Sequence, residues 1–358
     1  MAKNLKSLIV LVIGLGLAYW FARGIDWATV GASWRHANIW LLLLGVIFIN
    51  LTMLARAVRW QVFLKPITTV SIKDAMAATV IGFGSIFVVG RAGDVVRPIL
   101  LSLRTRINPS ATIATIMIER VFDMSAVAIM FAVNLFFISL PASKIDDLQR
   151  MRSVGLLMLV GVGLGIGLLI LLRLNAPFVI GLVEKLLRWL PKKILGFVVG
   201  LLNHLTDGLA VLLNLRELCK TIGYTVIVWG LITIAYLAVV NAFGLDFSIS
   251  QAIFTMGAGL VGSLVPTPGG SAGAFHVAAQ KGLIFLAVEP NLAAATAIAI
   301  HIISFGSPFV FALFYLMRED IKLSQLREMM VGKESDANFS KSQVTKPLAS
   351  NSKTGVER

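Results

Sequence analysis

The sequence predicts an all-α fold: a polytopic membrane helix bundle of about six full spans plus two re-entrant helical hairpins of opposite orientation. Three observations predict it. Of the 358 residues, 57% are hydrophobic and 14% are charged, whereas about a quarter of a soluble domain is charged. Several apolar runs reach the roughly 20 residues that a helix needs to cross a hydrocarbon core about 30 Å thick. Two of those runs are interrupted near the middle, by GRAGDVVRP (90–98) and by PTPGGSAG (266–273).

The elements follow in chain order. The N-terminal MAKNLK and its apolar run look like a signal peptide, but no small-x-small cleavage site follows, so Leu8 to Ala22 is an uncleaved first span. Further runs lie at Ile39 to Ala55, Ala111 to Leu140, Val154 to Leu172, Thr221 to Phe243 and Leu292 to Met317. The broken runs are Ala75 to Leu103 and Ile253 to Val288. Treating both as re-entrant leaves most of the 32 Lys and Arg residues on one side. That side holds the N-terminus, a loop with Arg56, Arg59, Lys65 and Lys73, the linker with Arg104 and Arg106, the 173–220 region and the C-terminal tail. By the positive-inside rule it is the cytoplasm, with both termini there, and a bacterial plasma membrane is the expected location. Arg23, Arg35, Lys144, Arg150 and Arg152 remain outside.

Between Arg173 and Lys220, charged and apolar residues alternate at helical spacing, which predicts amphipathic cytoplasmic helices over about 178–217. The stripe over 194–215 is apolar enough to be a true span as well. Residues 1–330 make one membrane domain, and the polar, aperiodic 331–358 is a disordered cytoplasmic tail.

The broken runs carry the chemistry. A straight helix over Ala75 to Leu103 would be about 43 Å long at about 1.5 Å per residue. It would place Arg91, Asp94 and Arg97 near mid-bilayer at a cost on the order of 8 to 10 kcal/mol. A hairpin turning at Gly90 and Gly93 avoids this and lets the three charges line a polar cavity. In the second run, Pro266 and Pro268 stop a helix, and Gly269, Gly270 and Gly273 permit a tight turn into a returning half-helix. The start of that half-helix offers backbone N–H groups to a phosphate or carboxylate, with His276 one turn in. Glu119 and Asp123 share a face of another span, with Arg120 adjoining, so they face the bundle interior. They neutralise Arg91 and Arg97, act in transport, or do both.

Other chemistry has little support. The net charge of +14 comes without a basic stripe interleaved with aromatics, which argues against nucleic acid. Cys219 is a lone cysteine, and His36, His204, His276 and His301 are scattered without metal-ligand spacing, so ordinary polar contacts are expected for them. No nucleotide-binding loop is present, and no cofactor is expected.

Four stretches, RAVRW (56–60), GRAGDVVRP, ERVFD (119–123) and PTPGGSAG, resemble the lysylphosphatidylglycerol synthase transmembrane region family, also called flippase-like or UPF0104 proteins. The resemblance covers roughly residues 5 to 320 and implies lipid translocation without lipid synthesis, since no soluble transfer domain is present. Relatives often carry an acidic residue just after the PGG turn. Here Ser271, Ala272, Gly273, Ala274, Phe275 and His276 follow it, which implies a different head group. The leading expectation is a translocase, not an enzyme, for an anionic or specialised membrane lipid. Its alternatives are an integral-membrane enzyme modifying a lipid head group and a membrane partner of a lipid-modifying enzyme.

Overall fold

The structure is a computed structural model. It describes residues 2–107, 109–138, 144–189 and 214–318, with scattered positions from 191 to 206; the side chains of 1–11, 89, 91, 92, 110 and 268 lie outside that description. Residues Met1–Tyr315 form one compact unit, described below, and Leu316–Arg358 form a second. The tail 331–358, expected to be disordered, and most of the second amphipathic stripe lie outside the described residues.

Among the described residues all regular structure is helical. α1 (Ala2–Ala22) leads to a short α2 (Trp27–His36), capped by the Asp26 carboxylate, and then to α3 (Ile39–Leu64), capped by Asn38. α4 (Ile72–Val89), a 3₁₀ turn at Gly90–Val95 and α5 (Val96–Thr105) make the first hairpin. α6 (Pro109–Phe137), α7 (Ile145–Leu174), an amphipathic α8 (Ala176–Leu186) and α9 (Leu215–Ala242) follow. α10 (Ile249–Gly262), a turn through Pro268–Ser271 and α11 (Ala274–Phe285) make the second hairpin. α12 (Pro290–His301) and α13 (Ser307–Arg318) end the described chain.

Among the described residues, four helices are long and apolar enough to cross a membrane: α3, α7, α9 and the continuous Pro290–Arg318. α6 has 29 residues and α1 has 21, so both have the length as well. The last span is locally widened. Pro308 has no N–H and its ring crowds the carbonyl four residues back; just before it, Ile302–Gly306 forms a π turn in which the Ser307 N–H reaches the Ile302 carbonyl.

One expectation needs correcting. Arg56 and Arg59 do not lie in a cytoplasmic loop: α3 continues through them to Leu64, and both are buried, Arg59 completely. The helix tolerates them because acids on a neighbouring helix meet them, as described below. Lys65, on the same side of the bundle, remains well exposed.

Both hairpins close as their glycines suggest. At Gly82 on α4 an added Cβ would sit 2.6 Å from the Arg97 Cβ, so only a glycine lets α5 fold back this closely. The hairpins then meet at their tips. The end of α4 and the 3₁₀ turn pack against the Pro268–Ser271 turn, and a Cβ on Gly90 would lie 3.3 Å from the Thr267 carbonyl oxygen. α3 and α9 make the most extensive helix contact, and α3 also packs against α4 of the first hairpin.

Candidate functional site

Two charged helix faces, one basic and one acidic, build the centre. Arg56 and Arg59 are three apart on α3, and Glu119 and Asp123 are four apart on α6, so each pair projects from one face. Arg59 Nη1 donates to Asp123 Oδ1 at 2.7 Å, and its Nη2 lies 3.0 Å from Glu119 Oε1. Arg56 Nη1 donates to Asp123 Oδ2 at 3.2 Å. From the returning arm of the first hairpin, Arg97 Nη1 donates to both oxygens of Glu119, at 2.8 and 2.9 Å, while its guanidinium lies 4.0 Å over the Trp60 ring. α9 completes the shell: Trp229 Nε1 donates to Asp123 at 3.3 Å, and Arg59 Nη1 donates to Thr225 Oγ1 at 3.0 Å. All five charged residues are buried. Charges removed from water this fully persist only when paired, so this part of the cluster locks α3, α5 and α6 together.

At its rim the cluster opens. Arg120 Nη2 donates to Asp94 Oδ1 at 3.0 Å, joining α6 to the 3₁₀ turn, and about a quarter of each side chain is exposed. Arg120 Nη1 and Arg56 Nη1 lie 3.9 and 3.2 Å from the same oxygen, Asp123 Oδ2, so the two guanidinium groups stand side by side. A cavity of about 170 Å³ begins here. Arg56, Asp94 and Arg120 line it on one side, and Ser263, Ser271, Phe275 and Phe305 from the second hairpin and the π turn line it on the other. The Nε atoms of Arg56 and Arg120 are buried without a hydrogen-bond partner. With Arg59, Arg97, Glu119 and Asp123 behind them, these groups total four guanidinium groups against three carboxylates, an excess positive charge that suits an anionic guest.

The expected site residues divide accordingly. Asp94 and Arg120 line the cavity; Arg97, Glu119 and Asp123 stand behind it in the buried lock. The side chain of Arg91 lies outside the described residues. Gly269, Gly270 and Gly273 all have positive φ (72°, 66° and 83°), as does Ser271 between them. Gly270 backs onto the Phe305 ring, and Gly273 backs onto α1 at Ala18. The turn is braced from within by Thr267 Oγ1 donating to the Ala272 carbonyl at 3.0 Å and by Ser271 Oγ donating to the Ser263 carbonyl at 3.1 Å. His276 stacks on Phe21 of α1, with ring centroids 5.1 Å apart.

Sequence reasoning missed Arg56, Arg59 and His301. The two arginines carried a usable signal: their three-residue spacing puts both on one helix face, as the four-residue spacing does for the acids of ERVFD. His301 carried none, because its partner is the carbonyl of Gly270, 3.1 Å away. Among the described residues no group of three His, Cys, Asp or Glu could hold a metal ion.

The family described as lysylphosphatidylglycerol synthase TM region matches the chain over residues 7–312. That range includes every residue of the cluster, the cavity and both hairpins. No curated protein matches the chain.

Proposed function

The chain belongs to the lysylphosphatidylglycerol synthase TM region family, a membrane family of lipid metabolism or translocation, and from that membership we propose that it is a lipid translocase. Its substrate on this reading is a lipid with an anionic head group. The head passes through the cavity between the hairpin tips while the acyl chains stay in the bilayer. Arg56 and Arg120 hold the phosphate, with Asp94 tuning the charge. Both termini face the cytoplasm, the plasma membrane is the site of action, and an enzyme that makes or modifies the lipid is the natural partner.

The observation that carries this reading is the cavity between the hairpin tips and the groups that line it. Two interrupted segments meeting at their tips, with ionisable groups on one wall and an irregular glycine turn on the other, resemble the arrangement transporters use for a midplane site. The test is reconstitution in liposomes with fluorescent phospholipids, anionic and zwitterionic, and a membrane-impermeant quencher. Faster exposure of the anionic lipid than in protein-free liposomes, lost in Arg56→Gln, is the expected result. Equal rates with and without protein would defeat the proposal.

A further inference from the structure

His276 on α11 and His301 at the end of α12 meet with ring centroids 4.4 Å apart. Their hydrogen bonds fix the tautomer of each ring. A carbonyl can only accept, so His301 Nε2, 3.1 Å from the Gly270 oxygen, carries a hydrogen. A backbone N–H can only donate, so His276 Nδ1, 3.3 Å from the Gly273 nitrogen, is bare and the ring hydrogen sits on Nε2. That Nε2 is buried without a hydrogen-bond partner. The two bonds therefore tie down both ends of the strained turn, Gly270 and Gly273.

The surroundings of the pair are aromatic. Phe21 of α1 stacks on His276; Phe87 of α4, Phe275 of α11 and Phe305 of the π turn lie 6.4, 5.3 and 5.1 Å from His301, centroid to centroid. Among the described residues packed on the pair from these elements, the titratable group facing each histidine is the other histidine.

We propose that the His276–His301 pair is a proton-binding site, and that a proton bound there opens the PTPGGSAG turn. A second proton on His276 must go to Nδ1, where it would point at the Gly273 N–H. Two donors then face each other, and the bond that holds Gly273 is lost. The resulting charge would also stand among phenylalanine rings, an environment that favours the neutral form unless water enters. The neutral pair goes with the closed turn and the charged pair with the open one. Ser271 and Phe275 form part of the cavity wall, so opening the turn reshapes the cavity. In a translocase this makes the proton the coupling ion. The proton site itself rests on the hydrogen bonds of the turn and stands apart from the lipid reading.

The test reads the turn directly. In a Cys219→Ser background, a cysteine at Ala272 is labelled with a maleimide in lipid nanodiscs from about pH 8 to about pH 5, across the imidazole range. The reference at each pH is the same protein carrying His276→Asn, whose side-chain oxygen can accept from Gly273 N–H and does not titrate. The parent-to-reference ratio of labelling rates should be near one at the upper pH and rise severalfold at the lower. A flat ratio overturns the proposal. A second measurement needs no histidine variant: ¹⁵N-histidine spectra of the parent, which has 4 histidines, should show His276 Nδ1 gaining a hydrogen over the range where labelling rises. Bare Nδ1 throughout that range overturns the proposal equally. Neither measurement involves lipid transport, so a failed transport assay and a failed proton site are distinguishable.

Discussion

Arg97 and Glu119 face each other across the first hairpin and α6, with one guanidinium nitrogen donating to both carboxylate oxygens at 2.8 and 2.9 Å. Arg59 and Arg56 approach the same carboxylate from α3, at 3.0 and 3.9 Å. Glu119 thus balances three buried cations with the help of Asp123 alone. Glu119→Gln should leave those cations under-neutralised and destabilise the protein by about 3–5 kcal/mol. Thermal unfolding followed by size-exclusion chromatography in detergent would measure this, and a melting profile equal to the parent's would contradict it.

The backbone of the PTPGGSAG turn supplies a second prediction. Gly270 has φ of 66°, and an added Cβ would lie 2.8 Å from the Phe305 ring, so Gly270→Ala meets both backbone strain and a clash. A loss of at least about 1 kcal/mol is expected, with reduced transport. Gly161 in α7 is the control: nothing lies within 4 Å of its Cβ direction, and Gly→Ala inside a helix stabilises by up to about 1 kcal/mol. Opposite signs for the two substitutions, measured by thermal unfolding in the same detergent, would support the assigned turn. A Gly270→Ala protein as stable as the Gly161→Ala protein would refute it.

Single-cysteine labelling in a Cys219→Ser background checks the sidedness. Positions 65 and 104 should react only from the cytoplasmic face, and positions 144 and 246 only from the opposite face. A cysteine at 56 should resist labelling from either face, because α3 buries that position against Asp123. Reactivity at 104 from outside would mean that α4 and α5 cross the bilayer instead of returning.

How far the sequence made this site legible depended on the range of each interaction. The hairpin over 72–105 could be inferred because its evidence is local: three charges in one apolar run and glycines at the bend. The pairing in ERVFD was half legible. Its acids announced a buried face, but their partners on α3 fell just beyond the apolar run that ends at Ala55, where arginines ordinarily mark a cytoplasmic loop. Hydropathy cannot distinguish an arginine in water from one neutralised by a carboxylate 64 positions away in sequence, and Arg59 is the latter. His301 was invisible for a related reason, since a side chain that bonds a backbone carbonyl leaves no residue-type signature.

Asp94 and Arg120 offer the cleanest separation of function from folding. Their ion pair is about one-quarter exposed on each side, so breaking it costs less than removing a partner from the fully buried Glu119 cluster. Breaking it should therefore leave the fold nearly intact while changing the charge of the cavity wall. In Arg120→Gln a cation is lost and the Asp94 carboxylate faces the cavity unpaired, so an anionic head group meets repulsion where it met attraction. Transport of anionic lipid should fall at least about tenfold, the equivalent of about 1.4 kcal/mol. Asp94→Asn makes the opposite change: it frees Arg120 for a phosphate, so half-saturation should come at a lower density of anionic lipid, while zwitterionic lipid gains less. The double substitution removes both charges, and Arg56 alone remains to attract the head group, which puts its rate between the two single variants. If both single substitutions slow transport alike with unchanged melting profiles, the ion pair serves to position the hairpin tip, and the phosphate contact must be sought elsewhere on the cavity wall.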